Sequence, residues 1–139
     1  MTELSENFIN GVYEVERALF KISNKSISYC TFQNGESPLK ESRDLALYET
    51  SFKWKYPLWY CRDILAEDCT WFDMARAGVW YSQNVTVKRA AIEAPKNFRR
   101  CKNLTLSDVS FADAAETLWH CGGAVLERVT AKGDYFAMN

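Results

Sequence analysis

The stretch "PLWYCRD" begins at Pro57 and "GVWYSQN" at Gly78, so a chain of 139 residues states nearly the same thing twice, twenty-one positions apart. Searching outward at that period extends the match through most of the chain. The repeat places one turn residue per unit at Asn24, Asp44, Asp63, Asn84, Asn103 and Gly123, with spacings of 20, 19, 21, 19 and 20. Asn, Asp and Gly are the types that tolerate a left-handed backbone, and their side-chain amides are expected to form a buried ladder. Downstream of each comes an alternating segment, clearest in "NLTLSDVSF" from Asn103. It reads as a strand, a two-residue corner and a second strand. Upstream comes a third short segment, "PLWYC", "GVWYS", "NFRRC" or "TLWHC".

Sorted by column, Leu19, Leu39, Leu58, Val79, Phe98 and Leu118 are all apolar, as are Ile27, Leu47, Ala66, Val87, Leu106 and Leu126. Phe32, Phe52, Trp71, Ile92, Phe111 and Ala131 form a third such column. These point inward, while the small column Thr31, Ser51, Thr70, Ala91, Ser110 and Thr130 points outward. Three short strands per unit, each stacking on its equivalent about 4.8 Å away, describe a parallel β-helix. A leucine-rich repeat would need a different return segment after its asparagine. A left-handed hexapeptide helix would need a strict six-residue period, which spacings of 19 to 21 do not give. Length varies only after the inward aromatic, in "QNGESP", "KWKYP", "FDMARAG", "EAPKN" and "ADAAET".

The composition fits one domain with an ample core, at 47% hydrophobic and 14% aromatic. Seventeen basic against eighteen acidic residues leave a net charge of -1, which excludes the electrostatic footprint of a nucleic-acid binder. The opening "MTELSENFING" lacks a signal-peptide pattern, and no apolar run approaches the roughly 20 residues of a membrane span. Five cysteines without a CxxC pair fit reduced thiols, so a cytoplasmic protein is expected.

The set "PLKESRDL", "YPLWYCRD" and "GVWYSQN", one rung apart, resembles the bacterial domain of unknown function 3737 family, whose fold is similar to pectate-lyase-like right-handed β-helices. The resemblance covers roughly Val15 to the C-terminus. It implies fold and handedness and supplies no catalytic or binding residue. Members of that family look longer, whereas this chain reaches "GDYFAMN" in the middle of what would be a seventh rung, as a short or truncated member would. The expected organisation is therefore a capping segment over residues 1–14 and a solenoid over residues 15–139 with its last rung incomplete. An open C-terminal end predicts self-association through the strands around Leu126 and Val129.

Several constellations bear on chemistry. Cys61, Cys101 and Cys121 share a column with Ser42 and Ser82, and Cys30 and Cys69 share one with Thr50, Ala90, Val109 and Val129. That company asks for a small buried side chain, and the spacing supplies no third or fourth metal ligand. His120, the only histidine, stands in a column with Lys21, Glu41, Tyr60, Tyr81 and Arg100, and nothing pairs with it as a catalytic base. The resemblance implies that polysaccharide-cleaving relatives carry carboxylates, often with calcium, on the outer face of one sheet. The matching outward column here holds none. The acids gather at a corner, in Glu49, Glu67, Asp68, Asp108 and Glu127, among Lys88, Arg89 and Arg128. Asp73, Asp113 and Glu116 lie in loops.

The strongest signal is aromatic. Trp59, Trp80, Arg99 and Trp119 run beside Tyr60, Tyr81, Arg100 and His120, and tryptophan mixed with charge in one column implies a partly exposed face. Flat apolar area with polar tips suits a sugar or a protein partner. The same stripe also reads as a cover over the edge of the core. The sequence thus predicts an all-β, right-handed, single-stranded parallel β-helix of about six rungs of 19–21 residues. As a function it predicts a binding or interaction module for a glycan or protein surface through those eight residues. No catalytic or metal-ligating residue, cofactor, nucleic acid or membrane is expected. The alternatives are a carbohydrate-active enzyme of the lyase or glycosidase type and a self-assembling structural solenoid.

Overall fold

The computed structural model describes residues 6–133. Its strands are β1 (Glu6–Ile9), β2 (Val12–Tyr13), β3 (Ser23–Ser28), β4 (Thr31–Phe32), β5 (Arg43–Tyr48), β6 (Ser51–Phe52) and β7 (Leu58–Trp59). They continue as β8 (Arg62–Glu67), β9 (Thr70–Trp71), β10 (Val79–Trp80), β11 (Gln83–Ile92), β12 (Lys102–Phe111) and β13 (Val125–Ala131). The described residues contain no helix, and every strand pairing is parallel.

The registers reproduce the sequence period: Lys25 faces Leu45, Leu45 faces Ile64, Ile64 faces Val85 and Val85 faces Leu104. One ladder runs β1-β3-β5-β8-β11 and on through β12 to β13, a second runs β2-β4-β6-β9-β11, and β7 and β10 form the third face. This is a parallel β-helix of about six turns. Val12 and Tyr13 pair with Thr31 and Phe32, and Phe8 pairs with Ile27, so residues assigned to a cap outside the repeat supply two in-register strands of it. Among the described residues the ladders run from Glu6 onward, and Phe8 and Tyr13 continue the inward columns. At the other end Val125 and Leu126 are exposed, and Tyr135, Phe136 and Met138, which would bear on how that end is covered, lie outside the described residues.

The inward columns pack as the alternation demands. Ile27, Leu47, Ala66, Val87 and Leu106 are fully buried, and Tyr13, Phe32, Phe52 and Trp71 stack at 5.1, 5.4 and 5.0 Å between ring centroids. Gly78 is held by contact: a Cβ there would lie 2.7 Å from buried Trp71 and 2.8 Å from the Asn97 amide.

A rung must turn the chain back on itself, and left-handed residues do so at four places. The expected column holds, with Asn24, Asp44, Asp63, Asn84, Asn103 and Gly123 at φ between 54° and 68°. Three further columns are equally left-handed: Tyr29, Glu49, Asp68, Arg89, Asp108 and Arg128; Arg17, Ser37, Tyr56, Ala77, Lys96 and Glu116; and Lys21, Glu41, Tyr60, Tyr81, Arg100 and His120. Their residue types do not announce this, because stacking on the neighbouring rung offsets a cost of roughly 1–2 kcal/mol per residue. The amide ladder exists but is exposed rather than buried: Asn84 donates to Asp63 and Asn103 donates to Asn84, both at 3.0 Å.

At two corners a side chain satisfies a backbone carbonyl of the preceding rung. Cys61 donates to Leu39 at 3.1 Å, Ser82 to Leu58 at 3.1 Å, Cys101 to Val79 at 3.3 Å and Cys121 to Phe98 at 3.1 Å. In the other column Cys30, Thr50 and Cys69 do the same where the strands break, and Ala90, Val109 and Val129 stand where β11, β12 and β13 run through unbroken.

Candidate functional site

The third face carries the aromatic columns. Trp59 and Trp80 are register partners in β7 and β10, and bridges continue the line to Arg99 and Trp119. The two indoles stack at 5.1 Å and 6°, and the Arg99 guanidinium lies 5.1 Å from the Trp80 ring and 5.4 Å from the Trp119 ring. Tyr56 packs on Trp59 at 4.6 Å. The indole nitrogens of Trp59 and Trp80 donate to the Ala77 and Lys96 carbonyls at 2.6 and 2.7 Å. With faces stacked and N–H groups engaged, these half-buried rings tie rungs together and leave little flat area for a ligand.

The adjacent column behaves differently. Tyr60 and Tyr81 are 51% and 39% exposed and stack on each other at 4.9 Å and 6°, with Lys40 Nζ 5.9 Å from the Tyr60 ring. They line a groove of about 990 Å³ whose walls come from four successive turns. Lys21 and Ser23 come from the first, Lys40, Glu41 and Arg43 from the second, Tyr60 and Arg62 from the third, and Tyr81 and Gln83 from the fourth. Of the eight residues expected to form a site, the structure brings Tyr60 and Tyr81 into this groove, keeps Trp59, Trp80, Arg99 and Trp119 in the stack, and leaves Arg100 and His120 exposed further along the column.

Sequence reasoning placed Lys21 in the tyrosine column and missed Arg43 and Arg62. Arg43, Arg62, Gln83 and Lys102 precede the turn residue in four consecutive rungs, a polar column visible in "SRD", "CRD", "SQN" and "CKN". Among the described residues, no carboxylate is within ion-pair distance of Lys21, Lys40, Arg43 or Arg62, although Arg43 and Arg62 are direct register partners. The opposite corner contrasts with this. Arg89 holds Glu67 at 2.7 Å and Asp68 at 2.9 Å, Arg128 holds Asp108 and Glu127, and Arg128 keeps the Asp108 carboxyl below its ordinary range. The loop acids do not converge: Asp113 accepts from the Ala115 amide, Glu116 pairs with Lys96 at 3.6 Å, and Asp73 is exposed elsewhere. Among the described residues no three His, Cys, Asp or Glu side chains are grouped to hold a metal.

A family model matches residues 6–139, nearly the whole chain. The chain belongs to the family described as Protein of unknown function (DUF3737). No curated protein matches it. Among solved structures it is similar to one described as "a putative glycosyl hydrolase from Parabacteroides merdae ATCC 43184", at 11% identity and a TM-score of 0.57, over 90% of this chain and 79% of that one. At that identity the likeness is one of fold. In this member of the DUF3737 family, function resides in the site's own side chains and not in the shared fold.

Proposed function

We propose that this DUF3737 chain is a non-enzymatic binding module whose groove, rather than the tryptophan stack, receives a glycan. The observation that carries the reading is the lining. Tyr60, Tyr81, Ser23, Gln83 and the Lys and Arg residues line one groove across four turns and suit a hydroxyl-rich chain, while Glu41 is the single carboxylate among the lining residues. Glycosidases of either stereochemical outcome work with a carboxylate pair about 5–9.5 Å apart, and this groove offers one member of such a pair. The solved neighbour's description is what favours the carbohydrate-active alternative, and a second acid would have to reach Glu41 for it to operate.

Calorimetric titration with oligosaccharides tests the proposal. Saturable binding is expected, about ten-fold weaker in a Tyr60→Ala, Tyr81→Ala variant of unchanged fold, with no release of reducing or unsaturated ends. Turnover abolished by Glu41→Gln would replace binding with catalysis.

A further inference from the structure

We propose that the groove selects a polyanionic sugar chain, one bearing a carboxylate or sulfate on successive units and lying along the solenoid axis. This inference rests on the glycan-binding reading and names its ligand class. Its first support is a charge arrangement the fold alone does not explain. The chain carries a net charge of -1, yet the groove gathers Lys21, Lys40, Arg43 and Arg62 against Glu41 alone. Like charges directly opposite on paired strands destabilise a sheet, and Arg43 and Arg62 are such a pair. At the opposite corner the same fold supplies Arg89 and Arg128 with two acids each, so a solvated corner of this solenoid readily neutralises its arginines. An anionic ligand would supply what is missing beside Arg43 and Arg62.

The shape of the groove adds the second support. Its lining recurs at residues 21–23, 40–43, 60–62 and 81–83, which makes it a furrow across four turns spaced about 4.8 Å apart. A lone phosphate would use one or two of those turns, whereas a chain with repeated anions reaches the cations of three in succession, Lys21, then Lys40 with Arg43, then Arg62. Guanidinium forks on consecutive rungs match planar or tetrahedral oxyanions presented at a regular interval. The tyrosines argue against nucleic acid as the occupant. Base stacking needs free ring faces, but the two tyrosines take up one face of each other and Lys40 lies over the Tyr60 ring. Each tyrosine also carries a hydroxyl that can donate to and accept from a sugar.

The test titrates the full chain with three hexasaccharides, sulfated chondroitin, hyaluronan and neutral maltohexaose, and with a single-stranded oligonucleotide. At low salt the two acidic sugars should bind at least ten-fold more tightly than maltohexaose and weaken as salt rises. Sulfated chondroitin bears an anion on every unit and hyaluronan on every second one, so the sulfated hexasaccharide should bind the more tightly of the two. Arg43→Gln with Arg62→Gln should remove that preference, and Arg89→Gln, at the acid-paired corner, should leave it intact; thermal melts of both variants check that the fold persists. Equal affinity for acidic and neutral sugars, unaffected by the arginine changes, would overturn the inference while the glycan reading stood. Binding of none of the sugars would overturn both. An oligonucleotide that binds more tightly than any sugar would overturn the assignment to a sugar chain.

Discussion

The thiols of Cys61 and Cys69 lie in an apolar core, each donating to a carbonyl of the preceding rung, and burial pushes both from 9.0 up to about 12. Below pH 9 these thiols are protonated in the folded and the unfolded chain alike and contribute nothing to pH dependence. Between pH 9 and 12 the unfolded chain releases the protons and the native one retains them, so stability falls by about 1.4 kcal/mol per pH unit for each thiol. Ser42 and Ser82 already occupy the column of Cys61, and Thr50 that of Cys69, which makes Cys61→Ser and Cys69→Thr compatible replacements. The double variant should melt near the parent at pH 8 and above it at pH 10, by calorimetry. An identical fall in both proteins between those two conditions would show that other groups govern the alkaline limit. The sequence made the small size of this column plain, because serine and cysteine share it. The carbonyl acceptor stayed hidden, since it belongs to a residue more than twenty positions away.

Between one rung and the next, the amide ladder and the left-handed backbone make separable contributions. Asn84 sits at φ 56° and bridges Asp63 and Asn103 at 3.0 Å on either side, in water. Exposed hydrogen bonds contribute little, on the order of 0.5 kcal/mol each, whereas forcing an ordinary side chain into the left-handed region costs about 1 kcal/mol or more. Asn84→Gly should therefore lower stability by less than about 1 kcal/mol and Asn84→Ala by about 1–2 kcal/mol, measured by denaturant unfolding. If the glycine variant were the less stable, the ladder rather than the backbone would be the dominant contribution. This corner was legible because Asn, Asp and Gly mark it. The corner at Tyr60, Tyr81 and Arg100 was not, since tyrosine and arginine give no such signal and are held left-handed by the rungs around them. That same unmarked corner positions the groove. Its residues could be sorted into columns from sequence alone, but a column does not reveal that stacking closes the indole faces or that Arg43 and Arg62 lack the acids that Arg89 and Arg128 possess.

Over the whole molecule each rung touches only its neighbours, so stability approximates a sum of rung and interface contributions, and equivalent positions differ in cost according to how many neighbours they have. Leu47 and Leu126 stand in one inward column. Leu47, between Ile27 and Ala66, is fully buried, while Leu126 pairs with Leu106 on one side and is 42% exposed. Removing the Leu47 side chain leaves a cavity walled by two rungs that cannot collapse without breaking their ladders, so Leu47→Ala should cost about 2–5 kcal/mol. Leu126→Ala removes surface that water already reaches, and its cost should stay under about 1 kcal/mol. Hydrogen exchange should follow the same gradient, with the amides of β5, β8 and β11 protected most strongly and those of β13 least. Equal destabilisation by the two substitutions, together with uniform protection from β5 to β13, would mean that Leu126 is covered as Leu47 is and that the solenoid unfolds as a single unit.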